Sequence, residues 1–170
     1  EKSQIMEGDV MNIPFDPVKR AKKVEKSVMK DSKRKYYRFR FAPYYGGIVT
    51  ADAVGCCFLC AYCWNYYRNL RPEEFGYFYS SEEVARKMLN LAEKRNCGKF
   101  RISGAEPILG KASMEHLVDV IRILKNYFRN LEFILETNGL MLGYYQELIE
   151  MLSPFKDFLF VRISIKGCLL

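Results

Sequence analysis

The sequence IVTADAVGCCFLCAYC, residues 48–63, joins an apolar run directly to a cysteine-rich loop. The run from Ile48 to Val54 has the length and β-branched content of a buried strand, and a glycine ends it. Cys56, Cys60 and Cys63 follow at spacings of three and two intervening residues. Thiolates spaced in this way can reach separate irons of one [4Fe-4S] cubane and leave one iron free of protein. The stretch therefore predicts an iron-sulfur site at the end of a buried strand.

Helical and strand patterns alternate after this loop. Further strands are predicted at Lys99–Ser103, Leu131–Thr137 and Phe158–Lys166, and helices from Ser80 to near Gly98, around Leu117–Phe128 and from about Tyr144 to Leu152. This order gives parallel strands joined by right-handed crossovers. The sequence therefore predicts an α/β protein with a barrel or an open doubly wound sheet.

Alternation along the strands predicts that one face of the sheet is polar. The polar positions are Arg101 and Ser103 on the second strand, Glu132 and Glu136 on the third, and Arg162, Ser164 and Lys166 on the fourth. A sheet covered by helices on both sides would have apolar strands throughout. We therefore expect a curved sheet whose concave side is a ligand cavity, with the two glutamates offsetting the arginines.

Basic residues are concentrated near the N-terminus. The formal net charge is +7, and between residues 19 and 40 eleven lysines and arginines face two carboxylates. An Asp16-Pro17 start and apolar residues at helical spacing predict a helix that ends at the polar segment 31–35. We divide the chain into a basic N-terminal helical extension, residues 1–43, and a core, residues 44–170. The basic residues form either a solvated helix face or a surface that attracts RNA or an acidic protein.

The sequence contains no pattern typical of export or of a membrane span. Apolar residues make up 49% of the chain, yet no apolar run approaches the length of a span. The N-terminus lacks the features of a secretory signal, and Cys168 lies too close to the C-terminus for prenylation. We therefore expect a cytoplasmic protein with no membrane partner. Its six cysteines should stay reduced, which favours metal binding over disulfides.

A structural zinc site is the alternative interpretation of the cysteine loop. Such sites use four Cys or His ligands, and His116, the only histidine, falls on the second predicted helix at an expected surface or capping position. Cys57, which would change the spacing to two and two, is expected to bind no iron. Cys97 and Cys168 are expected to be small buried hydrophobic residues.

Several motifs together resemble those of the radical S-adenosylmethionine (SAM) superfamily. The segment Gly55–Asn65 resembles the signature cysteine loop of that family, Gly104-Ala105-Glu106-Pro107 its Gly-Gly-Glu-Pro motif, and Glu136-Thr137-Asn138-Gly139 its Thr-Asn-Gly turn. The resemblance implies that the backbone and the Glu106 side chain hold the SAM amino group. Ala105 in place of a glycine leaves less room beside the methionine moiety.

The same resemblance assigns further contacts to SAM. Ser164 and Lys166 fall where the fourth strand of the family contacts the ribose and the carboxylate, and Tyr62 matches the aromatic residue that packs near the adenine. These positions lie at the carboxyl ends of strands, where parallel α/β barrels place their active sites. The resemblance implies a partial (β/α)6 TIM-like barrel of the radical SAM type, of which only about four βα units are present.

The resemblance also implies an enzyme and its chemistry. SAM chelates the open iron, an electron from a donor such as flavodoxin or ferredoxin passes through the cluster, and the S–C5′ bond breaks. The resulting 5′-deoxyadenosyl radical abstracts a hydrogen atom from the substrate. The [4Fe-4S] cluster and SAM are thus the expected cofactors, and the protein shields and aims the radical.

Three interpretations of the substrate stay open. Tyr62-Cys63-Trp64-Asn65 resembles a motif of glycyl-radical-enzyme activases such as the pyruvate formate-lyase activating enzyme, whose substrate is a glycine on a partner protein. The basic N-terminal segment, with interleaved aromatic residues, favours instead an enzyme that modifies RNA or a cofactor. A non-catalytic iron-sulfur or zinc binding module is the third possibility.

The fourth predicted strand ends close to the C-terminus of the chain. Cores of the family usually have six strands, so we expect this 170-residue form to bind a cluster but to turn over SAM poorly. If the fourth strand lies last in the sheet, its apolar outer edge has unpaired backbone groups. We therefore expect self-association through Phe158–Ile165.

Overall fold

The fold was obtained as a computed structural model, which describes residues 16–166. Its centre is a single sheet in the order β1-β2-β3-β5-β6-β7, with β4 paired to β2. The strands are β1 (Met29–Lys30), β2 (Lys33–Ala42), β3 (Ile48–Ala53), β4 (Tyr77–Tyr79), β5 (Lys99–Ser103), β6 (Glu132–Thr137) and β7 (Leu159–Ile163). The sheet is curled into a half-barrel, which confirms the predicted partial TIM-like barrel.

The predicted strands form the parallel part of this sheet. β3, β5, β6 and β7 pair in that order and in parallel. Their carboxyl ends therefore lie at one edge of the sheet, as the motif order predicts. The fourth strand is shorter than expected, because regular pairing ends at Ile163.

The chain has six helices within the described residues, of which the first precedes the sheet and the others lie between the parallel strands. They are α1 (Pro17–Val28), α2 (Tyr66–Leu70), α3 (Ser81–Arg95), α4 (Lys111–Tyr127), α5 (Leu140–Tyr144) and α6 (Gln146–Leu152), with single 3-10 turns at Tyr44–Gly46, Pro72–Glu74 and Ser153–Phe155. The capping box of Ser80 and Glu83 at the start of α3 is present as predicted. The predicted third helix is α6, which is preceded by the short helix α5.

The N-terminal segment is only partly helical. The helix begins after Asp16, whose carboxylate accepts hydrogen bonds from two backbone N–H groups of the first turn, and it ends at Val28. The prediction of a helical extension is wrong for the residues after this helix. There, β2 (Lys33–Ala42) pairs antiparallel with β3 and extends the sheet. Residues 1–15 lie outside the described part, and the boundary between residues 43 and 44 stays a prediction.

The two faces of the sheet differ in character. One face, which we call the convex face, carries Val49, Ala51, Phe100 and Leu135 and packs against the helices in one hydrophobic core. Phe100 is fully buried there and contacts the ring of Phe128 at 5.2 Å between centroids. The opposite, concave face carries the polar side chains that alternate with these residues. The predicted division into an apolar and a polar face is confirmed, except that Ile48 and Ile134 add a small apolar cluster to the concave face.

The last strand forms an open edge of the sheet. Within residues 16–166, β7 pairs with β6 alone, and Phe160, Val161 and Ile163 are exposed. Its place at the edge agrees with the expectation, whereas self-association through it stays a prediction. Among the described helices, none is long and apolar enough to cross a lipid bilayer.

Candidate functional site

A cavity of about 420 Å³ opens at the carboxyl ends of the parallel strands. Its walls come from the cysteine loop and from the turns that follow β5, β6 and β7. The lining residues with predicted roles are Cys56, Cys60, Tyr62, Cys63, Gly104, Ala105, Glu106, Thr137, Asn138, Ser164 and Lys166. Residues that lie far apart in the sequence are thus brought into one cavity.

The three predicted ligands lie along this cavity as free, half-buried thiols. The N–H of Phe58 donates to Cys56 Sγ at 3.4 Å, and Asn69 Nδ2 donates to Cys63 Sγ at 3.6 Å. Asn138 Nδ2 lies 3.9 Å from Cys56 Sγ and donates to Cys57 Sγ at 3.1 Å. N–H donors directed at sulfur stabilise thiolates and tune the potentials of iron-sulfur clusters.

Neighbouring cysteines 56 and 57 differ in their acidity. A hydrogen bond from the Cys57 thiol is the main cause that lowers the pKa of Cys56, and the Phe58 N–H and Asn138 add to it. The same hydrogen bond, together with burial, raises the pKa of Cys57. Geometry separates the two thiols as well, because Cys56 lines the cavity and accepts the Phe58 N–H, whereas Cys57 is fully buried.

Asn65 fastens the cysteine loop to the end of β5. Its buried amide donates to the carbonyl of Gly104, and Arg68 donates to its Oδ1 at 3.1 Å. Gly104 has a φ of +85°, and a Cβ there would lie 2.9 Å from Cβ of Asp52. Only glycine fits this close approach of the two strand ends without strain.

Glu106 joins the ends of β5 and β6. One carboxylate oxygen accepts hydrogen bonds from Thr137 Oγ1 at 2.6 Å and from the Ile108 N–H at 3.1 Å. The other oxygen accepts from the Asn138 N–H at 2.7 Å. The same side chain that carries the family resemblance is thus a structural clamp between two motifs of the site.

Burial governs the ionisation of this clamp. Glu106 is 3% exposed, and burial raises its pKa to about 7, although the three hydrogen bonds oppose the rise. Arg34 on β2 lies beside it and donates to the Glu106 carbonyl at 2.7 Å. Arg34 is itself fully buried, and burial lowers its pKa. A buried cation therefore lies next to Glu106 without lining the cavity itself.

Ion pairs cover the concave face below the cavity. Glu136 lies 3.2 Å from Arg101 and 3.4 Å from Arg162, and it accepts a hydrogen bond from the Tyr45 hydroxyl at 2.8 Å. The predicted offset of the arginines is therefore confirmed for Glu136. For Glu132 it is wrong, because this exposed carboxylate pairs with Lys99 at 3.5 Å.

A second ion-pair group lies on the neighbouring strands. Asp52 on β3 is fully buried and bonds to the Nε atoms of Arg38 and Arg40 at 2.7 and 2.8 Å. These arginines belong to β2, the strand that the sequence did not predict. They add guanidinium groups to the concave face and make it more basic than the predicted strands alone.

The donor set fits an iron-sulfur cluster. Among residues 16–166, no three His, Cys, Asp or Glu side chains converge closely enough to hold a single metal ion. The thiolates of a [4Fe-4S] cubane bind different irons, so they need not converge on one point. Three thiols in one loop, with N–H donors directed at two of them, have the chemistry that such a cluster needs.

The remaining predicted residues differ in their surroundings. Tyr62 is 73% exposed at the cavity mouth, and Lys166 Nζ donates to Ser164 Oγ at 2.6 Å. The prediction for His116 is wrong: it is buried beside Tyr36, its Nδ1 lies 3.1 Å from the Ser32 carbonyl, and burial lowers its pKa to about 4.

The other three cysteines have different outcomes. Cys97 is half-buried rather than buried, and its thiol donates to the Gly47 carbonyl at 3.4 Å. Cys168 lies outside the described residues. Cys57 is buried in the core, and its exclusion from the ligand set stays a prediction.

Sequence reasoning missed several residues that shape the site. Arg34 was hidden in a basic run that predicted a polar break, and Asn69 has no recognisable pattern around it. Glu136 and Arg162 line the cavity as well. Strand alternation had placed both on the polar face, so that pattern was the signal for their part in the cavity.

Comparison with known families agrees with this geometry. The family model described as the Radical SAM superfamily matches residues 52–168. The match begins inside β3 and includes all the motifs discussed above. No curated protein sequence matches the chain.

Proposed function

Since this chain belongs to the radical SAM superfamily, we propose that it is an enzyme that binds a [4Fe-4S] cluster and SAM at the cavity described above. Cys56, Cys60 and Cys63 are the proposed iron ligands. When bound, the cluster and SAM supply reductive cleavage of the S–C5′ bond and a 5′-deoxyadenosyl radical that abstracts hydrogen.

The observation that carries this proposal is the convergence of separate motifs on one cavity. The cysteine loop follows β3, Gly104 to Glu106 follow β5, Thr137 and Asn138 end β6, and Ser164 and Lys166 follow β7. Taken singly, a Glu-Pro or an Asn-Gly pair is a weak turn signal. Their arrangement at adjacent strand ends around three thiols is what a site for one cluster and one small charged ligand requires.

The residues of the chain would divide the work of binding. The Ala105 carbonyl, and the lone pair of the Gly104 carbonyl that Asn65 does not use, offer acceptors for the SAM amino group, whereas Lys166 offers a positive charge for the carboxylate. Glu106 acts on the site by holding Thr137 and Asn138 in place, in addition to any contact with SAM. Tyr62 lies at the mouth, where an aromatic ring can cover the adenine.

The test is anaerobic release of 5′-deoxyadenosine from SAM. The iron-reconstituted chain, reduced with dithionite, should release it slowly but measurably, in keeping with the expected poor turnover, and a Cys60→Ala variant treated in the same way should release none. A Cys97→Ala variant is the matched control, because that thiol lies at the other end of the sheet, beside Gly47. Zinc in place of iron, or equal release from both variants, would overturn the proposal.

For the substrate we propose a glycine on a partner protein. The support is the resemblance of Tyr62-Cys63-Trp64-Asn65 to the activase motif and the exposure of the rings around it. Tyr62, Trp64 and Tyr67 are 73%, 67% and 78% exposed. Exposed aromatic residues at a cavity mouth are typical of a protein interface. Mixing the reduced enzyme and SAM with a glycyl radical enzyme should produce a glycyl radical signal in electron paramagnetic resonance (EPR), and the absence of that signal would contradict this assignment.

A further inference from the structure

We propose that the exposed lysine face of α1 is the docking site for an acidic electron-donor protein. The lysine face consists of Lys19, Lys22, Lys23 and Lys26, all of which are exposed. The inference rests on the proposed function, because it needs a cluster to reduce. The donor loses one electron and the cluster gains one, so no covalent bond changes at α1.

The lysine face is a concentrated positive surface. The spacing of its members, three, one and three residues, places them on one side of the helix, opposite the buried Ala21, Val24 and Val28. Within residues 16–166, the only carboxylate within 4.0 Å of these lysines is that of Asp16, 3.9 Å from Lys19. A surface of this kind attracts an acidic partner and speeds its association.

The helix lies directly against the cysteine loop. Its Val24 packs on Gly55, where an added Cβ would lie 2.7 Å from Val24 Cγ1, and Cys56 is the next residue. On the other side of the loop, Arg20 donates to the Asn69 carbonyl at 2.7 Å, and Asn69 Nδ2 donates to Cys63 Sγ at 3.6 Å. Cys56 is therefore one residue away from the contact with α1, and Cys63 is linked to α1 through Asn69 by two hydrogen bonds.

The position of α1 favours an electron donor over a substrate. The apolar side of the helix belongs to the convex core, and none of its residues lines the cofactor cavity. A substrate such as RNA must reach the cavity, and no residue of α1 lines it. An electron donor needs only to come within electron-transfer range of the cluster, and a donor docked on the lysine face would be separated from the cysteine loop by the thickness of α1, on the order of 10 Å.

The test compares two reductants on the iron-loaded chain. In stopped-flow mixing, flavodoxin hydroquinone, an acidic one-electron protein donor, should reduce the cluster of a Lys22→Glu/Lys23→Glu/Lys26→Glu variant about tenfold more slowly than wild type at low ionic strength. This difference should shrink as salt screens the charges. Dithionite, which needs no protein docking, should reduce both at the same rate.

A matched control reverses the same number of charges elsewhere. The Lys94→Glu/Arg122→Glu/Arg129→Glu variant changes three exposed residues outside α1 and the cysteine loop. Lys94 lies near the end of α3, Arg122 lies on α4, and Arg129 follows the end of α4. It should be reduced by flavodoxin at close to the wild-type rate. Equal slowing in both variants would contradict the proposed docking site. An α1 variant that flavodoxin reduces as fast as wild type would contradict it as well.

The outcomes also separate this inference from the proposed function. A chain that holds no iron after reconstitution contradicts the proposed function itself. A cluster that dithionite reduces normally, and that flavodoxin reduces equally well in wild type and in the α1 variant, contradicts the docking site alone. RNA binding that depends on these lysines, with unchanged flavodoxin reduction, would assign the surface to RNA instead.

Discussion

The convex and concave faces of the sheet are built from alternate residues of the same strands, yet they differ in almost every property. On β5, Phe100 and Ile102 are buried among helices, whereas Arg101 and Ser103 reach the Glu136 carboxylate on the other side. The convex side is stabilised by the burial of apolar side chains, which tolerates small changes in geometry. The concave side and the adjoining strand ends are held by directed polar contacts, each of which needs a partner.

This difference separates stability from chemistry. Changes on the convex face should unfold the chain and affect the cofactors only through unfolding. Changes at the strand ends should remove a cofactor and leave most of the fold intact. The following predictions test that separation, from the largest effect to the smallest.

Loss of a cluster ligand should give the largest effect. After anaerobic reconstitution, a Cys60→Ala variant should completely lack the cluster's absorption band at about 400 nm, because one thiolate ligand of the cubane is missing. Its melting temperature without iron should stay near that of wild type, since Cys60 is half-buried in a loop. Absorption spectra and iron content measure the first result and circular dichroism the second.

The neighbouring thiol provides the contrast. Cys57→Ala should keep the chromophore, because Cys57 belongs to the buried core. A Cys57 variant without a cluster, beside a Cys56→Ala variant that keeps it, would show that the ligand assignment is wrong.

On the convex face, Phe100→Ala should lower the free energy of unfolding by about 3 to 5 kcal/mol, because it empties a fully buried aromatic site. Ser103→Ala, on the concave side of the same strand, should cost less than about 1 kcal/mol. Urea unfolding of both variants measures the two values. Similar losses in the two variants would contradict the separation of the faces.

The Glu106 clamp should make stability depend on pH. Its pKa is raised from 4.5 to about 7 by burial, so between these values the folded chain binds more protons than the unfolded chain. This contribution is complete below pH 4.5 and is lost as the pH rises through 7, with a slope of at most about 1.4 kcal/mol per pH unit.

Urea titrations of wild type and of Glu106→Gln, both without iron, measure this effect. The variant should lose this part of the pH dependence, because an amide does not titrate. A wild-type chain whose stability rises across the same window, with an identical profile in the variant, would show that Glu106 is ionised throughout.

The last prediction concerns the affinity for SAM. Glu106→Ala should keep the full iron content and weaken SAM binding by about 1.5 to 3 kcal/mol, the cost of losing hydrogen bonds to a charged group. Equilibrium binding of SAM to the reconstituted variant measures this. Unchanged affinity would remove Glu106 from the SAM site and leave it only its structural bonds to Thr137 and Asn138.

The sequence predicted the parts of the fold that have a regular pattern. The parallel strands and the helices between them follow apolar periodicity, and the capping box at Ser80 marks the start of α3. It did not predict β2, because the run Lys33–Ala42 alternates basic with aromatic residues and its pairing with β3 is set by tertiary contacts. The burial of Arg34 in that strand has no signal in composition.

The site was predicted as a set of residues but not as a network. Motif spacing placed the cysteines, Gly104 to Glu106 and the Thr137-Asn138 turn at strand ends. It could not show that Glu106 bonds to both residues of that turn or that Asn65 holds the cysteine loop on Gly104. Such bonds join residues about 30 to 40 positions apart, and local patterns carry no information on them.

The most direct test of the account is EPR spectroscopy of the reduced, reconstituted chain with and without SAM. We predict about four irons per chain and a reduced-cluster signal whose g-values shift when SAM is added, because SAM binds the iron that has no protein ligand. A chain that takes up zinc rather than iron, or a cluster signal that SAM leaves unchanged, would contradict the assignment of this cavity to a cluster and SAM.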